Sequence, residues 1–174
     1  MIRILLIFTS LAFWGCTSEE HTNKGRLILN EVLVRNNSST GVVAPDGKQS
    51  DYIELYNSGS ATLRLHRFFL SDSKTEPAKR NLPIRSIAPG EFAVFYGGSS
   101  DNMNDDFLGF SLSSDSASGD MIYLFDSSLQ IVDSLDYMIR KESCKKGKAF
   151  GRLGDGGTTW VVQKQATPGK PNNK

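Results

Sequence analysis

From residue 26 to its C-terminus, the chain breaks its apolar segments with clusters of Gly, Pro, Asn, Asp and Ser roughly every 8 to 15 residues. No segment in this stretch keeps apolar residues at the three-to-four spacing of an amphipathic helix. Short strands joined by tight turns remain, and a chain with about eight to ten of them closes into two antiparallel sheets packed face to face. The expectation is an all-β sandwich with Greek-key connections and no significant helix in the domain.

The segments themselves give the strands. Arg26 to Val34 (RLILNEVLV) is apolar on both faces apart from Asn30 and Glu31, which predicts a buried strand with two polar interruptions. In Asp51 to Asn57 (DYIELYN), Ile53 and Leu55 face one side while Tyr52, Glu54 and Tyr56 face the other. Thr62 to Leu70, Leu82 to Ile87 and Phe92 to Tyr96 are the next expected strands, and Phe107 to Leu112 is a short extended piece. Asp126-Ser127-Ser128 is a turn between two apolar runs and predicts a hairpin of Met121 to Phe125 with Gln130 to Tyr137. Ala149 to Leu153 and Thr159 to Val162 close the series, and residues 166–174 are expected to be a disordered tail.

Ahead of the domain, Arg3 followed by the apolar run Ile4 to Trp14 and then Gly15 has the layout of a cleaved secretory leader, residues 1–15. The run is too short to cross a hydrocarbon layer about 30 Å thick. Cys16 stands directly after it, and Phe13-Trp14-Gly15-Cys16 resembles the lipobox of bacterial lipoproteins, in which the cysteine is acylated and becomes the mature N-terminus. Residues 16–25 are polar and read as a flexible tether, and Cys16-Thr17-Ser18-Glu19-Glu20 resembles the acidic stretch that directs some such lipoproteins to the outer cell surface. Loss of the leader removes Arg3 and no acid, leaving 159 residues with 19 basic and 19 acidic side chains. A formally neutral chain of this size is one domain with no overall bias toward nucleic acid. With Cys16 acylated, Cys144 is the one remaining thiol, so core burial and not a disulfide must supply stability.

The order of motifs resembles the lamin tail domain, an immunoglobulin-like β-sandwich found in nuclear lamins and in secreted and surface proteins of bacteria. The resemblance is carried by ILNEVL (28–33), DYIELYN (51–57), LHRFFLSDS (65–73), the Leu82-Pro83 pair, IAPGEFAVFY (87–96), FSLSSDSASGDMIYLFD (110–126), IVDSLDY (131–137), GRLGDGGTTW (151–160) and ATPGKPN (166–172). In LHRFF the chain departs from relatives that carry a Gly-Trp pair where Arg67 and Phe68 stand. The family implies an immunoglobulin-like domain over residues 26–165, and an accessory role in interaction or tethering.

Few residues point to chemistry. Glu31 and Glu54 lie mid-strand in elements that the family pairs, so they are candidates for a general acid and base. The stronger expectation is structural: a carboxylate in an apolar strand accepts hydrogen bonds from backbone amides or pairs with an arginine, because an unpaired buried charge is too costly. A hydrolytic triad lacks support, with His66 the domain's one histidine, His21 in the tether and no Gly-x-Ser-x-Gly elbow. Zinc spacing is absent, and DNMNDD (101–106) fails the alternating oxygen pattern of a calcium loop. No cofactor or metal is expected. RKESCKKGKAFGR (Arg140 to Arg152) offers Arg140, Lys141, Lys145, Lys146, Lys148 and Arg152 as candidate contacts for a polyanion or nucleic acid, with Cys144 among them. No ladder of aromatics accompanies them for stacking bases, and Trp160 is expected to pack rather than present a ligand platform.

These readings lead to a non-enzymatic protein of the bacterial outer membrane or cell surface, held to the membrane by a lipid on Cys16. Its partner would be a protein or envelope polymer, met through loops 35–50 and 97–106, and no small-molecule substrate is inferred.

Overall fold

The computed structural model describes residues 26–98, 105–112, 121–137 and 145–172. The strands along this chain are β1 (Leu27–Leu33), β2 (Tyr52–Asn57), β3 (Leu63–Arg64), β4 (Phe68–Ser71), β5 (Arg80–Asn81), β6 (Ser86–Ile87), β7 (Phe92–Tyr96), β8 (Met121–Asp126), β9 (Ile131–Asp136), β10 (Ala149–Arg152) and β11 (Trp160–Val162). They form a five-stranded sheet in the order β11-β10-β1-β2-β7, a four-stranded sheet in the order β5-β4-β8-β9, and the small pair β3-β6. The strand pairs within these sheets are antiparallel. Among the described residues the helical turns are two three-residue 3-10 segments, Ser38–Thr40 and Leu65–Arg67. The domain is a β-sandwich, as its punctuation predicts, and it is immunoglobulin-like, as the family resemblance implies.

Period-two alternation puts the core between the sheets. Leu27, Leu29, Val32 and Val34 from β1 and its end, Ile53 and Leu55 from β2, Ala93 and Phe95 from β7, and Phe150 from β10 meet Leu70, Ile122, Leu124 and Leu135 of the other sheet. Tyr52 and Leu33 point away from this core and join Ala149 and Val42 in a smaller apolar cluster on the far side of the five-stranded sheet.

β1 carries a bulge. Leu29 pairs with Leu55 and Glu31 with Glu54, so Asn30 is an extra residue with no partner in β2. Alternation is interrupted there: the inward residues are Leu29 and Val32, three apart, and both Asn30 and Glu31 are left for the outer face. The bulge also decides the fate of Leu29's backbone, since β10 pairs β1 only at Glu31, Val32 and Leu33. Its amide donates to Asp133 Oδ2 at 2.9 Å, and its carbonyl accepts from Arg152 Nε at 2.6 Å. Arg152 Nη2 closes the triangle on Asp133 Oδ2 at 2.8 Å, while Nη1 donates to the Gly157 carbonyl at 2.6 Å. Asp133 belongs to the opposite sheet, so this ion pair ties the two layers together through the backbone groups that the bulge leaves open.

Three expectations differ from the structure. Thr62 to Leu70 is not one strand, because the 3-10 turn at Leu65–Arg67 buries Leu65 and sends the chain from the β3-β6 pair into the four-stranded sheet. Leu82 to Ile87 contributes only Ser86–Ile87 to a strand, since Leu82 and Pro83 are buried while Ile84 projects 90% exposed. Residues 166–172 are not a frayed tail: Thr167 and Asn172 are buried against β1 and β10. The domain therefore runs past residue 165.

Replacing Arg152 by Met leaves Asp133 and the Leu29 carbonyl without their partner in a largely buried place. The expected loss is about 3–5 kcal/mol of unfolding free energy, measured by urea denaturation; a loss below about 1 kcal/mol would show that the tie is dispensable.

Candidate functional site

The chemically distinctive place is the outer face of the five-stranded sheet, where the bulge leaves Asn30 and Glu31 beside Glu54 and Tyr52. All four are buried. Glu31 and Glu54 are cross-strand partners, so two carboxylates share one position of the sheet, and Asp155 enters from the turn between β10 and β11. An arrangement like this is stable only if donors reach every oxygen.

The chain supplies them from its own C-terminal segment. Glu31 Oε1 accepts from the Tyr52 hydroxyl and from the Thr167 amide at 2.9 Å, and Oε2 accepts from the Thr167 hydroxyl at 2.7 Å. Glu54 Oε1 accepts from Asn30 Nδ2 at 2.9 Å and Oε2 from the Gly169 amide at 2.7 Å. Asp155 Oδ1 takes Asn30 Nδ2 at 2.9 Å and the Asn172 amide at 3.1 Å. Asn172 Nδ2 then donates to the carbonyls of Asn30 and Arg152, the first being the bulged residue. Close approach at this point depends on Gly151, where a Cβ would stand 3.0 Å from Asn172 Nδ2 and 2.9 Å from Gln163 Nε2. Residues 167–172 thus lie as a strap across β1, β2 and β10.

Burial dominates the electrostatics. It raises the Glu54 carboxyl from 4.5 to about 8, against the lowering effect of Asn30 and the Gly169 amide, with Glu31 and Asp155 adding like-charge repulsion. Glu31 is also raised by burial, although Tyr52 and both Thr167 donors oppose it. Burial and the neighbouring Glu31 raise the Tyr52 hydroxyl as well. A carboxylic acid of this kind has the acidity of a proton donor near neutral pH, but the strap covers it and the donors that reach its oxygens come from the chain itself. The geometry is that of a lock between strap and sheet. Among the described residues no group of three or more His, Cys, Asp and Glu is arranged to hold a metal ion.

With this geometry in view, the comparison with known families is decisive for the fold. The family model described as Lamin Tail Domain matches residues 20–138. The chain belongs to the Lamin Tail Domain family. No curated protein and no solved structure gives a significant match. The matched part of this lamin tail domain ends just after β9, so β10, β11 and the strap lie beyond it, yet β10 is the neighbour of β1 and the strap covers β1's carboxylate.

The structure separates the residues singled out as a basic patch. Lys145, Lys146 and Lys148 are exposed, whereas Arg152 is buried, bonded to Asp133, Leu29 and Gly157, and lies 4.9 Å from the Trp160 ring. Arg152 is an internal tie, not a contact for a polyanion, because each of its three nitrogens already donates inside the protein. Arg140, Lys141, Cys144 and Cys16 lie outside the described residues, as does 99–104 of the loop 97–106. Trp160 packs on Phe150 with ring centroids 5.5 Å apart. Glu31 and Glu54 are neighbours, as the family pairing implies, and backbone amides, hydroxyls and the Asn30 side-chain amide, not an arginine, satisfy them. The members that escaped sequence reasoning are Asn30, Tyr52, Asp155, Thr167, Gly169 and Asn172. One signal pointed to them: two buried carboxylates need donors, and the polar ATPGKPN stretch holds a supply of them.

Two outcomes test the lock. A Glu54 carboxyl raised in the folded state binds its proton more tightly there than in the unfolded chain, so its stabilising effect is full below about pH 4.5 and is lost as pH rises through about 8. Glu54→Gln removes this contribution, and the difference between the variant's and the parent's unfolding free energies should change by up to about 1.4 kcal/mol per pH unit across that window. A difference independent of pH would contradict the assignment. A chain ending at residue 166 loses the amides of Thr167, Gly169 and Asn172 and should be less stable by at least about 3 kcal/mol, measured by urea denaturation; equal stability would show the strap to be decoration.

Proposed function

We propose that this lamin tail domain is a non-enzymatic interaction or tethering module, carried at the cell envelope by a lipid on Cys16. The carrying observation is that the one cluster of buried acids described is bonded by the chain's own strap, so it serves the fold and presents no acid to a substrate. Immunoglobulin-like domains of this kind are generally binding modules, and function must come from loops placed by a rigid scaffold.

Loop 35–50 is such a place. Asn36 Nδ2 bonds the carbonyls of Val42 and Ser50, both at 3.0 Å, and Asn37 caps the 3-10 turn by accepting from the Ser39 amide. Gly147 holds the loop from β10's side by donating its amide to Arg35's carbonyl at 2.7 Å. This bracing presents Val43, 52% exposed, on a long loop of defined shape. A preformed loop loses little conformational entropy on binding, which suits a recognition surface.

The anchor is tested by expressing the full chain with Cys16→Ala. The variant should leave the detergent phase on phase separation while its domain keeps the parent's unfolding transition. Retention in the detergent phase would place the attachment elsewhere. Turnover of phosphodiester, ester or glycoside substrates by the purified protein, lost on Glu54→Gln, would replace the binding reading with an enzymatic one.

A further inference from the structure

The 3-10 turn Leu65–Arg67 sits where the chain crosses from the β3-β6 pair to the four-stranded sheet. Leu65 is its buried anchor, and the side chains around it are thereby turned outward: Arg64 and Arg67 are exposed and His66 half-buried. None of the three side chains forms a hydrogen bond or an ion pair with a described residue. This contrasts with other cations on this surface. Arg85 is bonded to Asp106 at 2.6 Å and lies over the Phe95 ring, and Lys79 is paired with Asp72 at 2.6 Å.

Arg64 stands between two clefts and lines both. The first, of about 340 Å³, also takes in Arg67, Thr62 and Ser127. The second, of about 280 Å³, takes in His66, Arg85 and Ser86. The carboxylate in the first cleft is Asp126, whose Oδ1 is committed to the amides of Ser128 and Gln130 at the hairpin turn. Arg64 and Arg67 line this one cleft with no described carboxylate bonded to either guanidinium, so two positive charges border a space that an oxyanion can enter. Guanidinium presents paired N–H donors in a plane that fits phosphate oxygens, and Thr62 and Ser127, whose side chains carry hydroxyl donors, line the same cleft as Arg64 and Arg67. On the rim of the second cleft stands Ile84, the most exposed of the large apolar side chains described.

We propose that Arg64, His66 and Arg67 form a binding site for a phosphate group, with Ile84 placed to touch the apolar part of a ligand that carries one. The site is independent of Cys16 and of the strap. The lysines at 145, 146 and 148 line neither cleft, and the site gives a chain of net charge +1 a local preference for phosphate that its total charge does not show.

The chain's two histidines make the test internal, because His66 lies in the site and His21 in the N-terminal segment. Full-length protein labelled with carbon-13 in histidine, in a non-ionic detergent, is titrated with inorganic pyrophosphate in one arm and with dihexanoyl phosphatidic acid in the other. The ring signals of His66 should shift saturably while those of His21 stay in place. Arg64→Gln with Arg67→Gln should weaken the apparent affinity by about tenfold or more, whereas Lys145→Gln with Lys146→Gln should leave it unchanged. Tighter binding of the lipid, reduced by Ile84→Ser, assigns the phosphate to a lipid headgroup; equal binding in both arms, indifferent to Ile84→Ser, assigns it to free phosphate. A His66 signal that does not saturate in either arm, or one that saturates equally in the arginine variant, overturns the proposal.

Discussion

One extra residue in β1 shapes much of this sandwich. A regular strand would send Asn30 and Glu31 to opposite faces, and one of them would enter the apolar core. The bulge sends both outward and keeps Leu29 and Val32 inward, so neither Asn30 nor Glu31 enters the apolar core. It has two consequences. A pair of facing carboxylates now stands on the outer face, and the Leu29 amide and carbonyl are left without a partner in β10.

Each consequence is met by polar groups brought from far along the chain. Leu29 is satisfied by Asp133 and Arg152, which also bond one another and so join the two sheets. The carboxylates are satisfied by Tyr52, Asn30 and the strap, whose backbone amides arrive from more than 110 residues away. Burying such groups costs more than a hydrophobic replacement would, so their net contribution to stability is modest while they stay paired. What they secure is register and closure: breaking either network leaves a charge or a backbone group stranded, which makes the penalty for a slipped β1 large.

How much of this the residues announced depends on the kind of signal. Strands with clean alternation, such as Tyr52–Asn57 and Phe92–Tyr96, and the hairpin turn at Asp126 were legible because period two and turn chemistry are local. The break at Leu65 was not, since LRLHRFFL carries strand-forming residues and only packing of Leu65 dictates a 3-10 turn. Arg152 looked like one cation of a basic run, because Lys145, Lys146 and Lys148 precede it by four to seven residues; its partners, Asp133 and Leu29, come from two other strands. The strap looked like a tail because Pro, Gly and Asn mark disorder as well as they mark a chain laid across a sheet. Its role depends on contacts across 115 to 142 residues, which no local pattern encodes.

The same arrangement bears on function. In this lamin tail domain the buried acids hold its own C-terminal segment, which is why the braced loop 35–50 and the cations around the turn at 65–67 are proposed as the places that meet a partner. The central claim is that residues 167–172 are an integral layer of the sheet, and native-state amide hydrogen exchange followed by NMR tests it most directly. The account predicts that the Thr167 and Gly169 amides, bonded to Glu31 and Glu54, exchange as slowly as those of β1. Exchange of these amides at the rate of an unstructured peptide would contradict it.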